Sequence, residues 1–249
     1  MIEVKNLYAG YGKKEVLHGV DLTVQQGSIT TILGANGCGK STLLKAMVGA
    51  LPVIQGEILI SGHEIGSLDK NQWAKQVAYL PQNKHLPDMT VGQLVLHGRF
   101  PHLRYPRRYT RKDMSIAAAA METMNISQWE HTPIVELSGG MRQRVYLAMV
   151  LTQQSSVILM DEPTTYLDLG QQLHFVRLAK ELIAQGKTLL LVLHDILLAL
   201  KLSDRIVVME SGSIIASGTP SQIMDSNVLT KLYGIQIGCT DGQYFYHID

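Results

Sequence analysis

Cysteine is nearly absent from this 249-residue chain, which has only Cys38 and Cys239. They form no C-x-x-C pair, which argues against a disulfide framework and fits a reducing compartment. Excess charge is missing too. Twenty-two Lys and Arg stand against 21 Asp and Glu, a net charge of +1, so no large field favours nucleic acid or an anionic membrane surface, and no nucleic-acid partner is expected. One local exception is "RRYTRKD" at Arg107–Asp113, read first as a solvated loop or helix start and second as a contact surface. Long apolar runs are also lacking. The most apolar tract, Thr188–Leu202, is broken by His194 and Asp195 and falls short of the ~20 residues of a spanning helix. Met1–Lys14 carries no signal-type stretch, so a soluble chain is expected, able to dock on something that is not.

What is present begins with 46% hydrophobic residues, ample for a buried core. The stretch "TTILGANGCGKSTLLKAM", Thr30–Met47, runs from a compact β-type segment through small residues into a helical pattern. Gly34, Asn36, Gly37, Cys38, Gly39, Lys40 and Ser41 lie in a G-x-x-x-x-G-K-[ST] loop that Thr42 follows. Its backbone N–H groups surround phosphate oxygens, its lysine reaches the outer phosphates, and its hydroxyl binds Mg²⁺. The helix that follows adds a partial positive charge and free donors at that point. The pattern predicts a triphosphate as ligand, with Mg²⁺. Cys38, set among those donors, is expected to be a reactive thiol that nucleotide protects.

Along the chain, Ile2–Leu7, Val20–Val24, Ile29–Leu33 and Gly56–Ile60 read as strands. Helical spacing dominates Thr90–Gln153. Strand patterns return in "VILMD", "TLLLVLH" and "RIVVME", with a helix over Gly170–Gln185 and a hairpin turned at Ser211 and Gly212. Short helices are expected after that. The order predicts an α/β fold: a P-loop nucleotidase core with an N-terminal antiparallel β layer and an inserted helical subdomain. The core would cover about 1–85 and 155–249 and the helical part about 86–154 of a single domain.

Val157–Met160 ends in Asp161 and Glu162, two carboxylates at the carboxyl end of a buried strand, the edge at which open α/β sheets bind ligands. Asp161 suits Mg²⁺ and Glu162 suits polarising the attacking water. His194 ends another apolar strand and Gln82 follows "VAYLP"; neither decides anything alone. In "ELSGGMRQRVYLAMVL", Ser138, Gly139 and Gly140 open a second helix and form a second anion site.

With "LSGG" the chain resembles the ATP-binding cassette family over nearly its whole length, with the motifs in the family's order. The resemblance implies two such subunits closing head to tail as a homodimer, ATP lying between the P-loop of one and the Leu137–Gly140 signature of the other. It implies that Tyr11 stacks on adenine with Val16 beside it, that Gln82 senses Mg²⁺ and the membrane partner, and that Asp161 and Glu162 are the metal and catalytic acids. It further implies that Leu167 and Asp168 cross the dimer and that His194 contacts the γ-phosphate. Met141 stands where the family's signature has glutamine, a change expected to alter packing or dimer affinity more than chemistry.

"VLHGRFPHL" at Val95–Leu103 is similar to a segment in importer ATPases for iron–siderophore, haem and cobalamin uptake. That implies two integral membrane permease subunits, indirectly a substrate-binding protein, and a peripheral place on the cytoplasmic face of the inner membrane. Docking is expected around Gln82–Leu103, with Arg99 and Phe100 taking part. A soluble cassette ATPase of DNA repair or translation is the alternative class, but no second cassette, coiled coil or zinc insert is visible. An exporter is disfavoured because "EHTPIVE" replaces the acidic stretch that many exporters carry. A nucleotide-binding regulator without turnover is disfavoured by Glu162 and His194. His85, His97 and His102 match no usual metal-ligand spacing and are expected to be surface residues.

Overall fold

Buried Ile2, Val4, Leu7 and Ala9 give β1 (Ile2–Tyr11) a face in the core, and a tight turn returns it as β2 (Lys14–Val24). In the computed structural model, which describes residues 1–65, 67, 69–82 and 86–247, these strands begin the first of two compact units, Met1–Leu68 with Ala179–Asp249. β3 (Ile29–Gly34) leads through the glycine loop into α1 (Lys40–Met47), which buries Leu43, Leu44 and Met47. β4 (Val53–Ile60) and the short β5 (His63–Glu64) complete an antiparallel sheet in the order β2-β1-β4-β5. The sequence pattern shows only the first part of β1 and the last parts of β2 and β4, because bulges along β1 shift its register against both neighbours and break the two-residue alternation.

The second unit, Asp69–Leu178, opens with α2 (Lys70–Gln76), whose first amides are capped by Asp69, and β6 (Val77–Leu80). Capping boxes start α3 (Val91–His97) from Thr90 and α4 (Arg111–Thr123) from Thr110. Short 3₁₀ turns precede α5 (Gly139–Gln153). β7 (Val157–Asp161) is buried at every position and pairs in parallel with β6, as a near-continuous apolar run should. α6 (Leu169–Ala184) follows.

Back in the first unit, β8 (Thr188–Val192), α7 (Ile196–Leu202), β9 (Arg205–Glu210) and β10 (Ser213–Gly218) come in turn. β3 lies between β8 and β9, parallel to both, and β10 returns antiparallel beside β9. Two short helices, α8 (Pro220–Asp225) and α9 (Val228–Tyr233), come next as expected. Beyond the expected helices the chain forms a hairpin of β11 (Gln236–Thr240) and β12 (Gln243–His247). The signal was there: Asp241 and Gly242 both take positive φ at its turn, and Asp-Gly is a strong two-residue hairpin turn.

Candidate functional site

In the first unit the β3–α1 loop is shaped by close approach. A Cβ on Gly34 would stand 2.6 Å from Cys38 Sγ and nearer still to the Met209 carbonyl, so the strand can end there only as glycine. Gly37 and Gly39 have φ of 79° and 108°, and Ala35, Asn36 and Gly37 are exposed. Lys40 is 6% exposed. Its Nζ donates to the Gly34 carbonyl at 2.8 Å and to the Ala35 carbonyl at 3.0 Å, which keeps the ammonium inside the curve of its own loop. Half-buried Ser41 and buried Thr42 follow in the first turn of α1, where unpaired amides favour an anion.

Cys38 departs from expectation. It is 5% exposed, with Sγ 4.0 Å from Lys40 Nζ and packed beneath Gly34, so the thiol faces the fold and not the loop's open side.

Tyr11 is 47% exposed and takes a 3.3 Å hydrogen bond from Lys45 Nζ on α1. Val16 is half-buried, and a Cβ on Gly39 would meet its Cγ1 at 3.6 Å. His194 follows β8 and is exposed; the next residue, Asp195, caps α7 by accepting from the Leu198 amide at 3.0 Å. Tyr233 lies against the loop with no signal in the sequence. Its phenol faces the Gly34 amide, and burial is the main influence, raising its pKa.

In the second unit, β7 carries Asp161, 1% exposed, into Glu162, 8% exposed. Glu162 has φ 53°, a left-handed conformation that costs a non-glycine residue roughly 1–3 kcal/mol and turns the chain sharply at the strand end. Both carboxylate oxygens are held: Gln82 Nε2 donates to Oε1 at 2.6 Å and Thr165 Oγ1 donates to Oε2 at 3.2 Å. The structure thus brings together Gln82 and Glu162, which lie on separate segments of this unit.

Ser138 is the N-cap of α5 and accepts from the Met141 amide at 3.4 Å. A Cβ on Gly140 would stand 3.0 Å from both the Tyr166 carbonyl oxygen and Gln171 Oε1, while Gly139 packs beside the Tyr166 ring. Met141 is half-buried. Gln143 on α5 donates to the Pro163 carbonyl at 2.5 Å, tying the signature helix to the turn after the acids. Its position one turn into an "LSGG" helix was the only available hint. Asp168 caps α6, accepting from the Gln171 amide at 2.8 Å.

The expectation that Arg99 docks on a partner is corrected. Arg99 is 6% exposed; its Nε donates to Asp113 Oδ1 at 2.9 Å, and Nη1 donates to the Thr152 carbonyl and Gln154 Oε1, each at 3.1 Å. A buried guanidinium with three of its five N–H donors spent on the ends of α4 and α5 is a strut within this unit and not an exposed contact. Phe100, 36% exposed, remains accessible. His102 gives its ring to the Gln153 carbonyl at 2.9 Å, and burial is the main influence lowering its pKa. His97 packs against the Phe100 ring. His85 lies outside the described residues.

The family model for ABC transporters matches residues 17–165. The iron(3+)-hydroxamate import ATP-binding protein FhuC of Bacillus subtilis is 37% identical over 94% of this chain and 88% of its own length. The ferric enterobactin transport ATP-binding protein FepC of Escherichia coli is 35% identical over 93% of this chain and 86% of its own. The hemin import ATP-binding protein HmuV of Rhodococcus jostii is 38% identical over 90% of this chain and 76% of its own. Among solved structures, a nucleotide-free ATP-binding cassette from an ABC transporter superposes with TM-score 0.80 at 26% identity, covering 93% of this chain and 96% of that one.

Proposed function

The chain belongs to the ABC transporter family, and we propose that it is the ATP-hydrolysing subunit of an importer for an iron–siderophore, haem or related metal chelate. One observation carries the reading: import and transport ATP-binding subunits for such cargo match 90–94% of this chain at 35–38% identity. Lys40, Ser41 and Thr42 with the loop amides bind the triphosphate, Tyr11 and Val16 the base, and Ser138, Gly139 and Gly140 the nucleotide of the opposite subunit in a homodimer. Asp168 crosses that dimer.

Glu162, oriented by Gln82, activates water, and His194 contacts the γ-phosphate. Ser41, Asp161 and Gln82 offer oxygen donors, the ligand type that suits Mg²⁺. The ion, when bound, neutralises developing charge on the phosphates. Two permease subunits and, indirectly, a substrate-binding protein complete the importer. Attachment is peripheral, through those permease subunits, at the cytoplasmic face; among the described residues no helix is long and apolar enough to cross a membrane.

The test is Mg-ATP hydrolysis by the purified chain together with uptake of an iron–siderophore and haem by cells lacking it. Hydrolysis with loss of uptake is expected. A chain without hydrolysis, or uptake unchanged by its loss, overturns the reading.

A further inference from the structure

We infer that Leu103–Lys112 is a docking surface for anionic lipid headgroups beside the permease. This rests on the reading that the chain works at a membrane. Arg104, Arg107, Arg108, Arg111 and Lys112 are all exposed, five cations within nine residues of a chain whose net charge is +1. The acid that follows them, Asp113, is 7% exposed and fully engaged by Arg99 and by the hydroxyl and amide of Thr110. It leaves the five surface cations uncompensated from within the segment.

The same ion pair gives the patch its shape. Arg99 and Asp113 join the two ends of the loop at 2.9 Å, and Arg99 is anchored to the end of α5. The loop between them is therefore held out and its cations are presented from a fixed base. Tyr105, at the tip, is 97% exposed, and Met114 is 54% exposed. Arg107 stacks over the Phe100 ring at 4.7 Å. Asn71, Leu103, Arg104, Tyr105, Pro106 and Arg107 line a hollow of about 660 Å³.

Cations beside a protruding tyrosine fit the headgroup layer. Anionic phosphates attract Arg and Lys within a Debye length, and the ring of tyrosine with its polar tip is favoured at the boundary between headgroup and acyl chain. A nucleic acid would meet the same cations, but the exposed Tyr105 and Met114 beside them favour the headgroup layer.

The experiment is co-sedimentation of the full chain with vesicles of mixed phosphatidylcholine and phosphatidylglycerol, and with phosphatidylcholine alone. Binding is expected only to the mixed vesicles and should weaken as salt rises. Each surface cation accounts for about fivefold in affinity, so Arg104→Gln, Arg107→Gln and Arg108→Gln together should cost about 100-fold. Tyr105→Ser should cost less, by an amount that salt does not remove. Equal binding to both vesicles, or an unchanged triple variant, overturns the inference. So does a triple variant that binds vesicles normally yet no longer co-purifies with the permease, which would make the patch a protein contact. ATP hydrolysis is measured on the same samples. Hydrolysis without vesicle binding removes the lipid surface alone, whereas a wild-type chain without hydrolysis removes the functional reading.

Discussion

Gln82 and Glu162, 80 residues apart, share a 2.6 Å hydrogen bond in which the amide nitrogen donates to a carboxylate oxygen. The amide that the family resemblance assigns to sensing the membrane partner thus directly restrains the carboxylate assigned to water activation. Movement of Gln82 would release or re-aim Glu162.

Glu162→Gln removes the proposed base but leaves Lys40 and the loop amides intact. Hydrolysis should fall 10²–10⁴-fold, about 3–5 kcal/mol of transition-state stabilisation, with ATP affinity retained and an ATP-bound dimer accumulating. Turnover near wild type would remove Glu162 from the chemistry.

Arg99→Ala leaves a buried carboxylate without its partner and should destabilise the fold by about 3–5 kcal/mol, measured by denaturant unfolding. Burial alone would raise the Asp113 pKa, but hydrogen bonds from Thr110 and then Arg99 outweigh it and hold the group at about 2. The folded chain therefore binds this proton less readily than the unfolded chain. The stabilisation is present in full above the ordinary value of 3.8 and is lost as pH falls from there through about 2. Asp113→Asn should flatten the acid limb of the unfolding profile over that window; an unaltered limb would show that other carboxylates govern it.

Alkylation of the native chain should be confined to Cys239, which is exposed, while Cys38 is buried beneath Gly34. Thiolate reactivity requires access. Mass spectrometry of protein labelled with and without Mg-ATP should show Cys38 unmodified in both until the chain is unfolded. Prompt labelling of Cys38 in the native state would place its thiol on the open side of the loop.

A mixed dimer of one Ser138→Arg subunit and one Lys40→Ala subunit tests the shared ATP site. If signature and P-loop meet across the interface, both lesions fall in one site and the other stays intact. Nucleotide occupancy should recover to about one site per dimer, whereas both homodimers are damaged at each site. Occupancy no better than in the homodimers would show that the sites are not shared.

The chemistry of this protein was legible wherever it depends on neighbours in the chain. The phosphate loop, the strand-end acids and the Ser138 cap are contiguous patterns, because strand burial, helix capping and phosphate cradling are decided within a few residues. The same local rule covers the Asp241-Gly242 turn of the final hairpin. Tertiary structure alone decided the rest. That Gln82 grips Glu162, that Tyr233 faces Gly34, and that Arg99 is consumed by Asp113 and the end of α5 all depend on segments brought from elsewhere along the chain. Whether a charged or reactive side chain meets water or a partner is a balance of desolvation and pairing. The groups that settle that balance lie outside any local window of sequence.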